Sequence, residues 1–515
     1  MPPEVLERIE RARRDDQQEP GSSWGLAGLV GEWLRFHAVV SPALLLELWG
    51  LAAEEARDLL DGLRESRTIV IDRLLAGSEA AEICDAHNLE ILLRWLRQAQ
   101  RPSFAALPID YLPLFLAVQQ GLAVRGDGIE ALQEQLEKLF GLPLPANLWE
   151  KEILPARLQP YYPSWLDSLM QESELVWVGC GKEKTTFGFP ADLELFFSRD
   201  SGTELAPEDE ALLAELFGDG RGKADLLELA DRVRRPIFEV SDALWRLAWA
   251  GRVSNEAFAT LRKGLQNHFQ PLEVRPEARR LPRRGSGWQA RPTVGDWYRL
   301  DTASGELDAL EREELVKDRV RLLLGRWGLL CRELLQRELP ALQWSRVFRC
   351  LRLMELSGEV LAGQFFAGLS GLQFIAPGAF RQLERGLPED PVFWLCAADP
   401  ASLCGVEAEG LKNELPSRLP TSHLVYHGRE VVLVSRKNGK ELDFRVAADH
   451  PRLLDYCVLL KHLLGREVEP LSSLQLLTIN GEKAARSPYL RPLESLFRVT
   501  REGHEARLWR SYGNS

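Results

Sequence analysis

The sequence predicts a mainly α, multidomain protein, with tandem winged-helix (helix-turn-helix) domains followed by a small C-terminal β-barrel domain. Three observations predict it. First, a helix ending in leucines runs into a short β-prone segment four times, in LLDGLRESRTIVI (59–71), WLDSLMQESELVWVG (165–179), ALWRLAWAGRVSN (243–255) and CLRLMELSGEVLAG (350–363). In each, apolar residues recur at i, i+3 or i+4 and the strand-like run follows within a few residues, which is the order of a recognition helix and its wing. Second, after about residue 389 the texture changes to short alternating segments split by Asn-Gly, His-Gly and Asp-Pro turns. Third, 515 residues are too many for one core, at roughly 150 residues per domain.

The elements follow in order. Residues 1–20 read as a charged helix and the start of a polar linker, with no apolar core of signal-peptide length. The first winged helix spans 21–104, where VVSPALLLELWG offers Ser41 as N-cap and Pro42 at the first helical position. The second, 105–204, is extended by the helical insert DGIEALQEQLEKLFG and carries the densest aromatic stretch, LWEKEILPARLQPYYPSWLDSLMQESELVWVG (148–179). There prolines 155, 160 and 163 break and turn the chain, Trp165, Leu166 and Leu169 face the core, and Val176 and Val178 anchor a wing strand. The third spans 205–268. A basic, Pro/Gly-punctuated linker, 269–305, leads to the fourth, 306–388, in which Gly328 turns between two apolar-periodic runs. The β-barrel takes 389–515, crossed by one helix at RLLDYCVLLKHLLG. Identity between the units is low, so they share a plan and not a recent duplication.

Composition narrows the function. With 45% apolar and 27% charged residues the chain is ordinary globular material. No stretch approaches ~18 uncharged apolar residues, so no membrane span is expected. The seven cysteines (84, 180, 331, 350, 396, 404, 457) are scattered through apolar runs, as buried thiols of a reducing cytoplasm are. A net charge of −12 argues against a general nucleic-acid coat but leaves room for a local basic path.

Familiar catalytic signatures are missing. RGKAD and CGKEK lack the second glycine and the Ser/Thr of a phosphate loop, so no ATPase is expected in this chain. DEAL (209–212) has no apolar strand before it and reads as an acidic helix N-terminus. Cys84 and His87 of CDAH are half a metal site without a second half. His423 and His427 of HLVYH lie ~13 Å apart on a strand, too far for one ion. No metal and no cofactor are expected.

Nucleic-acid binding remains. Residues 262–299 hold nine Arg/Lys against three acids, with Trp288, Trp297 and Tyr298 interleaved. Arg275, Arg279, Arg280, Arg283, Arg284 and Arg291 are candidate phosphate contacts and Trp288 a stacking platform for an unpaired base. On the helix near 344–356, Arg346, Arg349 and Arg352 lie opposite the face made by Val347, Cys350, Leu351 and Met354, where a recognition helix meets a groove.

These segments carry a resemblance. ICDAHNLEILLRWLRQ, FLAVQQG, WEKEILPARLQPYYPSWLDSLMQESELVWVG, ALWRLAWAGRVSNEAFATLRKG, LSGEVLAGQFFAGLSGLQFIAPGAF and AADPASLCG resemble, in order, the C-terminal region of bacterial large helicase-related proteins (Lhr), superfamily 2 DNA repair helicases. The resemblance implies tandem winged helices with a β-barrel, and single-stranded or forked DNA as partner. It also implies a helicase core in the same or a separate chain, a homo-oligomer with the tetramer among its forms, and a cytoplasmic, nucleoid-associated setting. The region is also similar to the AlkZ DNA glycosylases, which use a Gln-x-Gln motif; here Pro143-Leu144-Pro145 stands at the corresponding place, while Gln98-Ala99-Gln100 and Gln133-Glu134-Gln135 have the spacing in other segments. Uracil-DNA glycosylase activity is associated with some Lhr C-terminal regions, but EARLWRSYGNS at this C-terminus has no aspartate, and no catalytic residue is assigned. The reading is a DNA-binding, oligomerising module without ATPase. A DNA glycosylase and an assembly scaffold without DNA contact are the alternatives.

Overall fold

The computed structural model describes residues 25–100, 104–197, 205–218, 222–270, 295–300, 307–411 and 415–511. The chain divides into two compact units, Met1–Ser103 with Leu356–Gly358, and Phe104–Glu355 with Glu359–Ser515.

In the first unit, helix Leu26–Leu34 is followed by an extended residue, Val40, bridged to Ile83. Helices Pro42–Trp49 and Ala53–Glu65 come next, then the antiparallel strands Ile69–Asp72 and Glu82–Asp85, and last helix Ala86–Gln100. Ser41 caps as expected: its hydroxyl accepts from the Leu44 amide at 3.2 Å, and Pro42 loses nothing where an amide has no helical partner. Val30, Leu45, Leu63 and Ile83 fill a core of their own.

The second unit repeats that order of elements three times over one continuous core. Its first pass has helix Gly128–Lys138, strand Leu144–Pro145, a helical run from Ala146 to Arg157, helix Pro163–Glu172, and strands Val176–Gly179 and Lys184–Gly188. Leu166, Leu169, Val176 and Val178 are buried, while Trp165 is only half-buried and packs edge-on to Tyr162. The second pass runs from helix Pro207–Phe217 through Leu226–Val233 and Ile237–Trp249 to strand Val253–Asn255. That strand pairs with Trp297–Arg299, residues the sequence reading places in the linker. The third pass runs from helix Ala309–Trp327, with an Asp308–Glu311 capping box, to helix Trp344–Ser357 and strands Leu361–Gly363 and Gln373–Ile375.

The C-terminal part is β-rich but is not a barrel. Strands Val392–Cys396, His423–His427, Glu430–Arg436, Glu441–Phe444, Thr478–Ile479 and Glu482–Lys483 form an open six-stranded sheet in that order. Leu474–Leu476, Glu505–Arg510 and Phe497–Glu502 form a separate three-stranded sheet. Val392–Cys396 and Glu482–Lys483 stand at opposite ends of the first sheet and do not pair with each other, so the predicted closure does not occur. The helix read inside RLLDYCVLLKHLLG is present as Leu453–Tyr456 and Val458–Gly465.

All seven cysteines are free, and all but Cys180 are buried. No described helix is long and apolar enough to cross a membrane, and no metal-ligating cluster occurs among the described residues.

Candidate functional site

Helix Trp344–Ser357 is the last helix of its pass before the wing strands. Its period buries Val347, Cys350, Leu351 and Met354 and turns Arg346 and Arg349 to solvent. Neither arginine has an ion-pair partner among the described residues, so both charges are available to a polyanion. Arg352 differs from them. It is half-buried, with Nε 3.9 Å from Glu355 Oε2. Arg275, Arg279, Arg280, Arg283, Arg284, Trp288 and Arg291 lie outside the described residues. Trp297, read from the sequence among the stacking rings, is in the core at 2% exposure against Trp177 and Trp245.

The structure also assembles a cluster on which the sequence analysis placed no function, and its scaffold is the aromatic stretch 148–179. Residues Trp149–Ile153 form a π-helical turn, with the Leu154 amide donating to the Trp149 carbonyl. Pro155 has no amide to give the Lys151 carbonyl four residues back. That carbonyl accepts instead from His462 Nε2 at 3.1 Å. The turn directs two carboxylates inward. Glu150 accepts from Tyr161 Oη at 2.7 Å and from Arg262, which also reaches Asp167 at 2.8 Å and so joins the first pass to the second. Glu152, 2% exposed, takes the Arg466 guanidinium at 2.6 Å and lies 3.2 Å from His423 Nε2 and 3.4 Å from His462 Nε2.

Charge balance there is tight. Burial would raise the Glu152 carboxyl, but His423, by charge and contact, and then His462 hold it well below the usual carboxylate range. Burial pushes the His462 imidazole down, with Glu152 opposing. Both ring nitrogens of His423 and Oε2 of Glu152 are buried without a well-formed hydrogen bond. Five residues on, Arg157 makes a bidentate pair with Asp399, at 2.7 and 3.0 Å, both side chains at 0% exposure. The segment thus clamps the C-terminal sheet region through Glu152 and Arg157. His427, also in HLVYH, has other partners: Tyr456 Oη at 2.9 Å and Asp390 at 2.6 Å. A bulge between Val425 and Tyr426 separates the two histidines.

Beside this cluster is a cavity of about 460 Å3, with His462 and Arg466 in its wall. Glu152 and His423 lie behind that wall. Leu144–Pro145, within the segment that the sequence reading sets against Gln-x-Gln, pairs as a strand with Lys184 and Thr185. Gln133 is engaged with Glu137 at 2.8 Å and Gln135 is buried in the core. The side chains of Gln98 and Gln100 lie outside the described residues.

Element order and the exposed arginine helix define a tandem winged-helix protein. Two different winged-helix domains of the large helicase-related protein match, the fourth at residues 309–392 and the third at residues 109–193. Over 464 residues the chain is 29% identical to the Lhr helicase/probable uracil glycosylase of Mycolicibacterium smegmatis, covering 83% of this chain and 30% of that protein. Over 463 residues it is 26% identical to the Lhr helicase/uracil glycosylase of Escherichia coli, covering 82% and 30%. The resemblance to Lhr is borne out, and the chain spans about 30% of the length of these curated relatives. Among solved structures, the DNA glycosylase AlkZ of Streptomyces sahachiroi is similar at a TM-score of 0.43 and 14% identity, covering 70% of this chain and 97% of that one.

Proposed function

We propose that this chain is a DNA-binding module of an Lhr-type DNA repair protein, carrying no ATPase of its own and acting with a helicase core in the same or a separate chain. In this reading it works in the cytoplasm at the nucleoid, as a homo-oligomer, on single-stranded or forked DNA. One observation carries the proposal: the helix that precedes the wing strands of a matched winged-helix domain turns two uncompensated arginines, Arg346 and Arg349, away from the core. Arg352 at the flank, and the segment with Arg275, Arg279, Arg280, Arg283, Arg284, Arg291 and Trp288, would extend the contact.

Fluorescence-anisotropy titration of a forked DNA across a salt series tests it. Removing one phosphate-binding cation should lower the slope of log affinity on log salt by about 0.7–0.9. Arg346→Glu with Arg349→Glu should therefore flatten that slope by roughly twice this amount and weaken binding at least tenfold. Trp288→Ala should weaken single-strand binding by ~1–3 kcal/mol with the slope intact, since stacking releases no counterion. If charge reversal on the helix leaves affinity and slope unchanged, that face is only solvated, and assembly without DNA contact becomes the better reading.

Base excision of the AlkZ type is not part of the proposal. With Pro143-Leu144-Pro145 in place of the glutamine pair, no product is expected from crosslinked or alkylated DNA. Strand cleavage at abasic sites after incubation, abolished by mutating Gln133 and Gln135, would reverse this.

A further inference from the structure

The cavity beside the carboxylate–imidazole cluster has a lining that neither winged-helix binding nor the comparisons explain. Three separate elements bring cations to it: Arg125 from the loop ahead of helix Gly128–Lys138, Lys461 within helix Val458–Gly465 and Arg466 at its C-cap, and Arg510 from the last strand. Among the described residues only one acid, the exposed Glu467, lines it. Arg466 is committed to Glu152 behind the wall. Arg125 and Lys461 have no carboxylate partner among the described residues; Arg125 donates only to the side-chain oxygen of Gln159. Burial pushes the Arg125 guanidinium pKa down, the mark of a cation partly stripped of water with no anion to offset the loss. Tyr161 and Phe497 add aromatic wall.

A recess of about 460 Å3 is within the range that holds a small ligand and has room for about one nucleotide. Cations gathered in such a recess discriminate between kinds of phosphate. An internal phosphodiester carries a single charge, whereas a terminal phosphomonoester carries about −1.5 to −2 and a third exposed oxygen. A terminal group can also enter a recess that a continuous strand must pass over.

We infer that this cavity binds the phosphorylated end of a DNA strand, with Arg125 and Lys461 gripping the terminal phosphate and Arg510 at the mouth. The inference rests on the DNA-binding reading above and adds an end-specific site to it. It also assigns the cluster behind the wall a positioning role: Glu152 fixes Arg466, and with it the wall.

The test uses the full chain and internally labelled single-stranded oligonucleotides with a 5′-phosphate, a 3′-phosphate, or hydroxyls at both ends. One phosphorylated end should bind about tenfold more tightly than the hydroxyl-ended strand, as expected of charge-assisted hydrogen bonds to a buried-side cation. Which arm shows the gain identifies the end. Arg125→Gln with Lys461→Gln should abolish the preference, and Arg125→Lys should retain part of it; both substitutions are at half-buried or exposed side chains, and an unchanged thermal melt verifies the fold. Inorganic phosphate at millimolar concentration should erase the preference without displacing the hydroxyl-ended strand. Arg346→Glu with Arg349→Glu should lower affinity for all three strands and leave the ratio between them intact. Equal binding of the three strands by the unaltered chain, or a preference that survives Arg125→Gln with Lys461→Gln, overturns the end-binding site while leaving the winged-helix reading standing. Failure of every strand to bind overturns both.

Discussion

Asp399→Asn should cost the larger unit about 3–5 kcal/mol, the penalty for breaking a buried ion pair and leaving its partner charged. Arg157 and Asp399 are both at 0% exposure and share two short hydrogen bonds. Arg157 also donates to the Gln120 side chain at 3.0 Å and to the Ile153 carbonyl at 3.0 Å, while Asp399 accepts from the Ala401 amide at 2.9 Å. An asparagine keeps the volume and one acceptor but leaves a guanidinium buried without its anion. Urea denaturation should show the consequence selectively. The segment 25–100 has a separate core, so its transition should stay in place while that of the larger unit moves to lower urea. The double change Arg157→Met with Asp399→Leu should recover much of the loss, because the pair's own net contribution is small once both desolvation costs are removed. A shift below about 1 kcal/mol in Asp399→Asn would mean that water reaches the pair.

How much of this was legible in the sequence differs by element. The third helices and their wings were, because Val347, Cys350, Leu351 and Met354 fall on one stripe and Leu175–Val178 is a strand by composition. Barrel closure was not. Alternation identifies strands, but whether the first pairs with the last depends on contacts between residues about ninety positions apart, and here Val392–Cys396 and Glu482–Lys483 both remain edges. The carboxylate–imidazole cluster was invisible for the same reason: Glu152, His423 and His462 have no local spacing relative to one another. HLVYH, set aside in the sequence as a site for one ion, carries a bulge that gives its two histidines unrelated partners. A weak signal was present in Lys151-Glu152 followed by Pro155, since a proline inside a helical run frees a carbonyl that something must satisfy. The basic stretch was readable as charge, but Trp297 within it belongs to a strand whose partner, Val253–Asn255, lies more than forty residues earlier.

Acidification should weaken the larger unit in two stages. Burial holds His462 below its ordinary value of 6.5, with Glu152 opposing, so as pH falls through 6.5 the unfolded chain takes up a proton that the folded chain does not. Glu152 is held well below 4.5: burial opposes this, but His423 and then His462 outweigh it, so below 4.5 the unfolded chain again binds the extra proton. In both windows the unfolded state carries more protons, which makes stability rise with pH, so the two effects add on the way down. The groups that face the pair are His423, Arg466 and the Lys151 carbonyl, with the Trp394 ring stacked 4.1 Å from His462. Thermal melts of the larger unit from pH 8 to pH 4 should therefore decline from about pH 6.5 downward. His462→Phe, which keeps a flat ring against Trp394, should flatten the upper part of that decline. Glu152→Gln should remove the lower part and also destabilise the protein at neutral pH by about 3–5 kcal/mol, because Arg466 then sits buried without its carboxylate. If His462→Phe follows the parent curve between pH 7 and pH 5.5, the imidazole is not the group that loses its proton on burial. If Glu152→Gln melts like the parent at pH 7, Arg466 has another anion, and the cavity wall is held by something other than this cluster.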